Sequence, residues 1–60
     1  RLTDRQCEVL RTAYRMGYFE RPRDANASAV ADALDISPST FAEHLATAQR
    51  KLLEETLAEN

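Results

Sequence analysis

The sequence predicts an all-α domain of three helices. Apolar residues recur at spacings of three and four within three separate stretches. A residue able to cap a helix stands before each stretch: Thr3, then Asn26 or Ser28, then Ser37. Gly17 and Pro22 punctuate the chain between the first stretch and the second. Sixty residues make one domain at most. A domain so short buries only about 60% of the surface of its unfolded chain, which leaves little room for a catalytic cleft beside a core.

The first helix is predicted over Asp4 to Met16. Thr3 and Gln6 stand three residues apart and form a capping box, in which the Thr3 hydroxyl accepts a free backbone N–H and Gln6 reaches back. Asp4 suits the positive end of the helix dipole. Val9, Leu10, Ala13 and Tyr14 form the apolar stripe, which Cys7 and Met16 extend. Gly17 ends the helix, because it takes positive φ at low cost. Tyr18 and Phe19 follow at once and are expected to fold back on the core. Pro22 biases Arg21 towards extended backbone, and residues 20–26 read as a loop.

A short second helix follows, with Val30, Ala31 and Leu34 on its apolar face and its end at Leu34 or Asp35. Asp35 occupies a tight turn and Ile36 is a buried anchor between helices. Ser37 and Pro38 start the third helix. Ser37 caps, and Pro38 suits the first helical position, where its missing N–H would have had no partner. Phe41, Leu45, Ala48 and Leu52 mark the buried stripe, with His44 at its edge. No glycine or proline follows Pro38, so the helix is expected to run on through Leu53 to Leu57.

A short helix, a tight turn around an apolar anchor and a longer capped helix make a helix-turn-helix over Asn26 to Leu52. The second helix of such a pair enters the major groove of double-stranded DNA. With Phe41, Leu45 and Ala48 inward, the outward face carries Ser39, Ala42, Glu43, Ala46, Thr47 and Arg50. The hydroxyls of Ser37, Ser39 and Thr40 stand at the helix N-terminus, where phosphates bind. Ala42 suits a thymine methyl and Glu43 suits cytosine N4. Arg50 and Lys51 reach phosphates further along, and Arg23 is a backbone contact from the loop.

Charge tempers this expectation. The net charge is −2, unevenly spread. Residues 1–23 hold six arginines against Asp4, Glu8 and Glu20, whereas residues 24–49 hold four acids and no Lys or Arg. Phosphate neutralisation supplies most non-specific affinity for DNA. A protein-interaction or dimerisation module that keeps the fold without strong DNA binding is therefore the alternative. The acids around Asp32 are a solvated face or a contact for another protein such as a polymerase.

Other function classes find no support. One histidine and one cysteine cannot make a structural zinc site, and there is no Ser-His-Asp or phosphate-loop constellation. No cofactor, metal or catalytic residue is expected. His44 and Cys7 read as packing residues, Cys7 as a small buried hydrophobe. No apolar run approaches the roughly 20 residues that cross a bilayer, and a single cysteine fits a reducing compartment. These features predict a cytoplasmic protein. Arg1 in place of Met predicts a piece of a longer one.

Several motifs together resemble the helix-turn-helix domain of haloarchaeal bacterio-opsin activator regulators. They are Leu2-Thr3-Asp4-Arg5-Gln6, Val9-Leu10, Gly17-Tyr18-Phe19-Glu20, Pro22-Arg23, Ala31-Asp32-Ala33-Leu34 with Ile36-Ser37, Glu43-His44-Leu45 and Arg50-Lys51-Leu52-Leu53. The Gly-Tyr-Phe and Pro-Arg pieces are the most specific, since ordinary helix-turn-helix modules lack them. The Leu-Thr start and the Ile-Ser to Thr-Phe to His spacing also resemble the wider sigma-factor region 4 and response-regulator output type. The resemblance implies a C-terminal output domain attached to sensory PAS or GAF domains and a role in transcriptional regulation, usually activation. A homodimer in the full-length protein and contact with RNA polymerase or basal transcription factors are expected beside it. Two positions depart from the family pattern. Asp35 stands where glycine is common, and aspartate tolerates left-handed geometry better than most residues. Ala46 and Thr47 stand where basic residues are common, which removes phosphate contacts.

Overall fold

The computed structural model describes residues 1–58. Three helices run in order: α1 (Asp4–Arg15), α2 (Ala27–Leu34) and α3 (Pro38–Ala58). At 1.5 Å per residue, the 21 residues of α3 span about 31 Å. That length sets the long axis of a molecule 34 × 23 × 16 Å across. Both shorter helices pack against α3 and touch one another.

Local chemistry determines every helix start. Thr3 Oγ1 accepts the Gln6 N–H at 3.1 Å, and Gln6 Oε1 accepts the Thr3 N–H at 3.0 Å. Asn26, rather than Ser28, caps α2, its Oδ1 accepting the Ala29 N–H at 2.9 Å. Ser37 Oγ accepts the Thr40 N–H at 3.1 Å, and the Phe41 N–H donates to the Ser37 carbonyl at 2.9 Å.

The first two helices end in the same hydrogen-bond pattern. After α1 the Gly17 N–H donates to Tyr14 O and the Tyr18 N–H donates to Ala13 O. After α2 the Asp35 N–H donates to Asp32 O and the Ile36 N–H donates to Ala31 O. Each is a Schellman motif, which needs a left-handed residue just past the helix. Gly17 holds φ +83° and Asp35 holds φ 59°. The residue after each left-handed position, Tyr18 or Ile36, packs against the core. The Gly17 carbonyl also accepts the N–H groups of Glu20 (3.2 Å) and Asp24 (3.0 Å), which draws the loop over the end of α1. The Arg21–Pro22 peptide bond in that loop is cis.

The core is Val9 and Ala13 from α1, Val30, Ala31 and Leu34 from α2, and Phe41, Leu45 and Ala48 from α3. Ala31 is fully buried where α2 meets the rest of the core. The small side chain lets the backbones approach.

Several positions expected inside are not. Tyr14 is 70% exposed, and Leu52 and Phe19 are each 41% exposed. Cys7, Leu10, Met16 and Ile36 are half-buried. Two neighbouring helices provide α1 with partners over one narrow stripe, centred on Gln6, Val9 and Ala13. Cys7, Leu10 and Tyr14 lie beside that stripe, where Leu10 packs on the edge of the core and the three border Leu52 of α3 without being covered. Leu52 sits beyond the last fully buried residue of α3, Ala48, where only the start of α1 lies against the helix. Tyr18 does fold back, and its ring meets Phe41 edge-on at 5.4 Å.

Candidate nucleic-acid interface

Burying Phe41, Leu45 and Ala48 dictates the opposite face of α3, because each residue turns the helix by about 100°. Ser39, Ala42, Glu43, Ala46 and Arg50 are all exposed there. Thr40 and Thr47 are half-buried along one border. The surface is low and nearly uncharged, with Glu43 in the middle and Arg50 at the far end. From Ser39 to Arg50 the axial distance is about 16 Å, somewhat more than the roughly 12 Å width of a B-DNA major groove.

The N-terminus of α3 is more occupied than its hydroxyls suggest. Ser37 Oγ takes the Thr40 N–H, donates to Thr40 Oγ1 at 2.9 Å and lies 3.3 Å from Ser39 Oγ. Pro38 has no N–H, and that of Phe41 is in the helical ladder. The Ser39 amide is the one early N–H of α3 left for an anion. Ser37 and Thr40 serve first to start the helix, and Ser39 is the outermost member of the trio.

The cations divide into two kinds. Arg50 Nη1 donates to Glu54 Oε2 at 3.0 Å, both side chains being more than 60% exposed. Such pairs contribute about 0.3–0.5 kcal/mol, so the Arg50 guanidinium leaves the glutamate at small cost. Lys51 behaves otherwise. Its Nζ donates to Gln6 Oε1 at 3.1 Å and to the Arg1 carbonyl at 3.2 Å. The ammonium thus joins the capping box of α1 to α3, and it faces away from the Ser39–Arg50 surface. Gln6, itself buried, holds the Thr3 amide and the Lys51 ammonium with one oxygen. The Thr3–Gln6 spacing predicts the first of these bonds, and nothing in the sequence signals the second.

Arg23 is exposed in the loop, but its side chain is held. The guanidinium carbon lies 4.2 Å from the centre of the Tyr18 ring. Tyr18 in turn stacks edge-on with Phe19 and Phe41. A chain of rings therefore runs from the first turns of α3 to an arginine outside the helix-turn-helix, and a cation–π contact holds that arginine in place. The aromatic pair and the Pro-Arg step are visible in the sequence; their stacking is not. His44 is half-buried on the flank of α3, as a packing residue would be. Among the described residues no group of three or more His, Cys, Asp or Glu side chains is placed to hold a metal ion. No helix among them is long and apolar enough to cross a membrane.

Comparisons with known proteins identify the family. A family model described as an HTH DNA binding domain matches residues 2–54. The transcriptional regulator NarO of Haloferax volcanii is 66% identical over 56 residues, which is 93% of this chain and 26% of that protein. The bacterioopsin transcriptional activator of Halobacterium salinarum is 50% identical over 52 residues, 87% of this chain and 8% of that protein. The chain thus spans about a quarter or less of these relatives. No solved structure matches it.

Proposed function

This chain belongs to the family of HTH DNA-binding domains, and from that premise we propose that it regulates transcription by placing α3 in the major groove of double-stranded DNA. The observation that carries the reading is the exposed face Ser39–Ala42–Glu43–Ala46–Arg50. Its small side chains let the helix approach the base edges closely. Glu43 accepts a hydrogen bond from cytosine N4 and Ala42 meets a thymine methyl. Thr40 and Thr47 border the contact, with Ser37 and Ser39 at its phosphate end. Arg50 and Arg23 hold the backbone. Lys51 contributes by holding α1 against α3 more than by touching phosphate.

Two copies act together on two half-sites about one helical turn apart, since one copy has few free cations. The named relatives, a transcriptional regulator and a transcriptional activator, support the regulatory role. The exposed acids Asp32 and Asp35 of α2 and its turn present a surface for RNA polymerase or a basal transcription factor. The same acids favour a second reading, a protein-interaction module without strong DNA binding.

Selection from a random duplex pool, followed by titration at several salt concentrations, separates the two readings. An enriched motif and nanomolar-to-micromolar binding support the first. Binding that never exceeds the background of unselected DNA, even at low salt, leaves the second. On a selected site, Glu43→Ala relaxes preference at one base pair by about 1–3 kcal/mol, while Arg50→Ala weakens all sequences alike. Uniform loss from Glu43→Ala would remove its reading role.

A further inference from the structure

Beside the core stripe of α1, bordering the end of α3, lies a shallow, open apolar groove that this copy of the chain does not fill. Leu2, Cys7, Leu10, Tyr14, Phe19 and Leu52 line it, and Arg11 stands at its rim. The groove follows a second stripe of α1, at Cys7, Leu10 and Tyr14, beside the stripe that makes the core. Two further leucines are unpartnered. Leu53 and Leu57, on the last turns of α3, are 59% and 68% exposed and do not line the groove. Because α3 is one continuous helix to Ala58, these leucines cannot turn back into the groove of their own copy.

We infer that a second copy of this chain fills the groove: the end of α3, through Leu53 and Leu57, docks against the α1 groove of its twofold mate, and the mate returns the same contact. Charge favours this occupant. Arg11 borders the groove and Arg15 stands one turn further along α1, with no carboxylate within 4 Å of either among the described residues, while Glu8 on the same side of α1 is taken up by Arg5. The end of α3 is acidic, with Glu54 and Glu55 beside the two leucines. The partner of Glu54 within one copy, Arg50 at 3.0 Å, forms an exposed pair that exchanges readily. A reciprocal contact of one patch with the same patch is what a twofold dimer requires. The contact leaves the Ser39–Arg50 face of each copy free. It deepens the dimeric mode proposed above and rests on it, but it is measured without DNA.

Sedimentation equilibrium of the chain from about 10 μM to about 1 mM covers the weak affinities expected of a small interface. The mass is expected to rise from one copy towards two. The variant Leu53→Glu/Leu57→Glu, which alters only exposed positions, is expected to keep its helical circular dichroism and weaken association at least about tenfold. Leu53→Cys or Leu57→Cys under mild oxidation is expected to give a disulfide-linked dimer through Cys7 of the second copy, lost on Cys7→Ser. A chain that stays monomeric throughout overturns this contact, whereas the dimeric mode on DNA falls only if the selected sites hold a single half-site. A dimer indifferent to the glutamate variant, with no Cys7-dependent cross-link, overturns this surface and leaves the dimeric mode standing. Neither result bears on whether α3 binds DNA.

Discussion

Two residues with left-handed backbone close the first two helices, and they differ in what they tolerate. At Gly17 a Cβ would stand 2.5 Å from the Cβ of Asp24, in addition to the strain of φ +83°. Gly17→Ala therefore combines about 1–2 kcal/mol of left-handed strain with a comparable steric cost. A fall of roughly 2–4 kcal/mol in the urea unfolding free energy is expected. A change below about 0.5 kcal/mol would mean that the loop does not pack as described. Asp35 is the opposite case. It is exposed at φ 59°, so Asp35→Gly relieves strain and loses no buried contact. The greater freedom of unfolded glycine offsets part of the gain. A net stabilisation of up to about 1 kcal/mol is expected, read as a higher melting temperature.

At the scale of the element, α3 starts through Ser37 and is steadied through Lys51. Ser37→Ala removes the acceptor of the Thr40 N–H and leaves that amide uncapped. Loss of such a cap costs about 1 kcal/mol, which urea titration of the purified chain would register. Much of the element level is legible in the sequence. The Thr3–Gln6 box, Gly17, Asn26, and Ser37 with Pro38 are local signals, each read within four residues of where it acts. The apolar stripes are legible in phase but not in width. The spacing of Val9, Leu10, Ala13 and Tyr14 marks one side of α1, yet only Val9 and Ala13 are covered. How wide a stripe is buried depends on how many neighbours a helix has, and periodicity does not report that number.

For the whole molecule, charge and size decide how it must work. Its stability, at about 0.05–0.15 kcal/mol per residue, is small enough that one cap or one strained turn is a sizeable share of it. The cations free to meet phosphate near α3 are Arg50 and Arg23, and Lys51 is committed inside the fold. On the proposed reading, two copies neutralise about four phosphates, and log K is expected to fall with log salt at a slope near −3.6. A slope steeper than about −7 would show that the arginines of α1 also meet DNA. The candidate surface on α3 follows from helical phase alone, but the division of its cations into free and committed does not.

The sequence by itself determined the three helices, their ends, the direction of the α3 exposed face and the family resemblance. The helices, their ends and the exposed face follow from chemistry between residues no more than a few turns apart, and the resemblance rests on the motifs the chain carries. The tertiary structure alone decided that Lys51 joins Gln6 across 45 positions, that Arg23 rests on Tyr18, and that Tyr14, Phe19 and Leu52 line an open groove. Those outcomes depend on how α1 crosses α3, and that crossing is settled by packing three apolar surfaces at once. No local pattern in the chain records it.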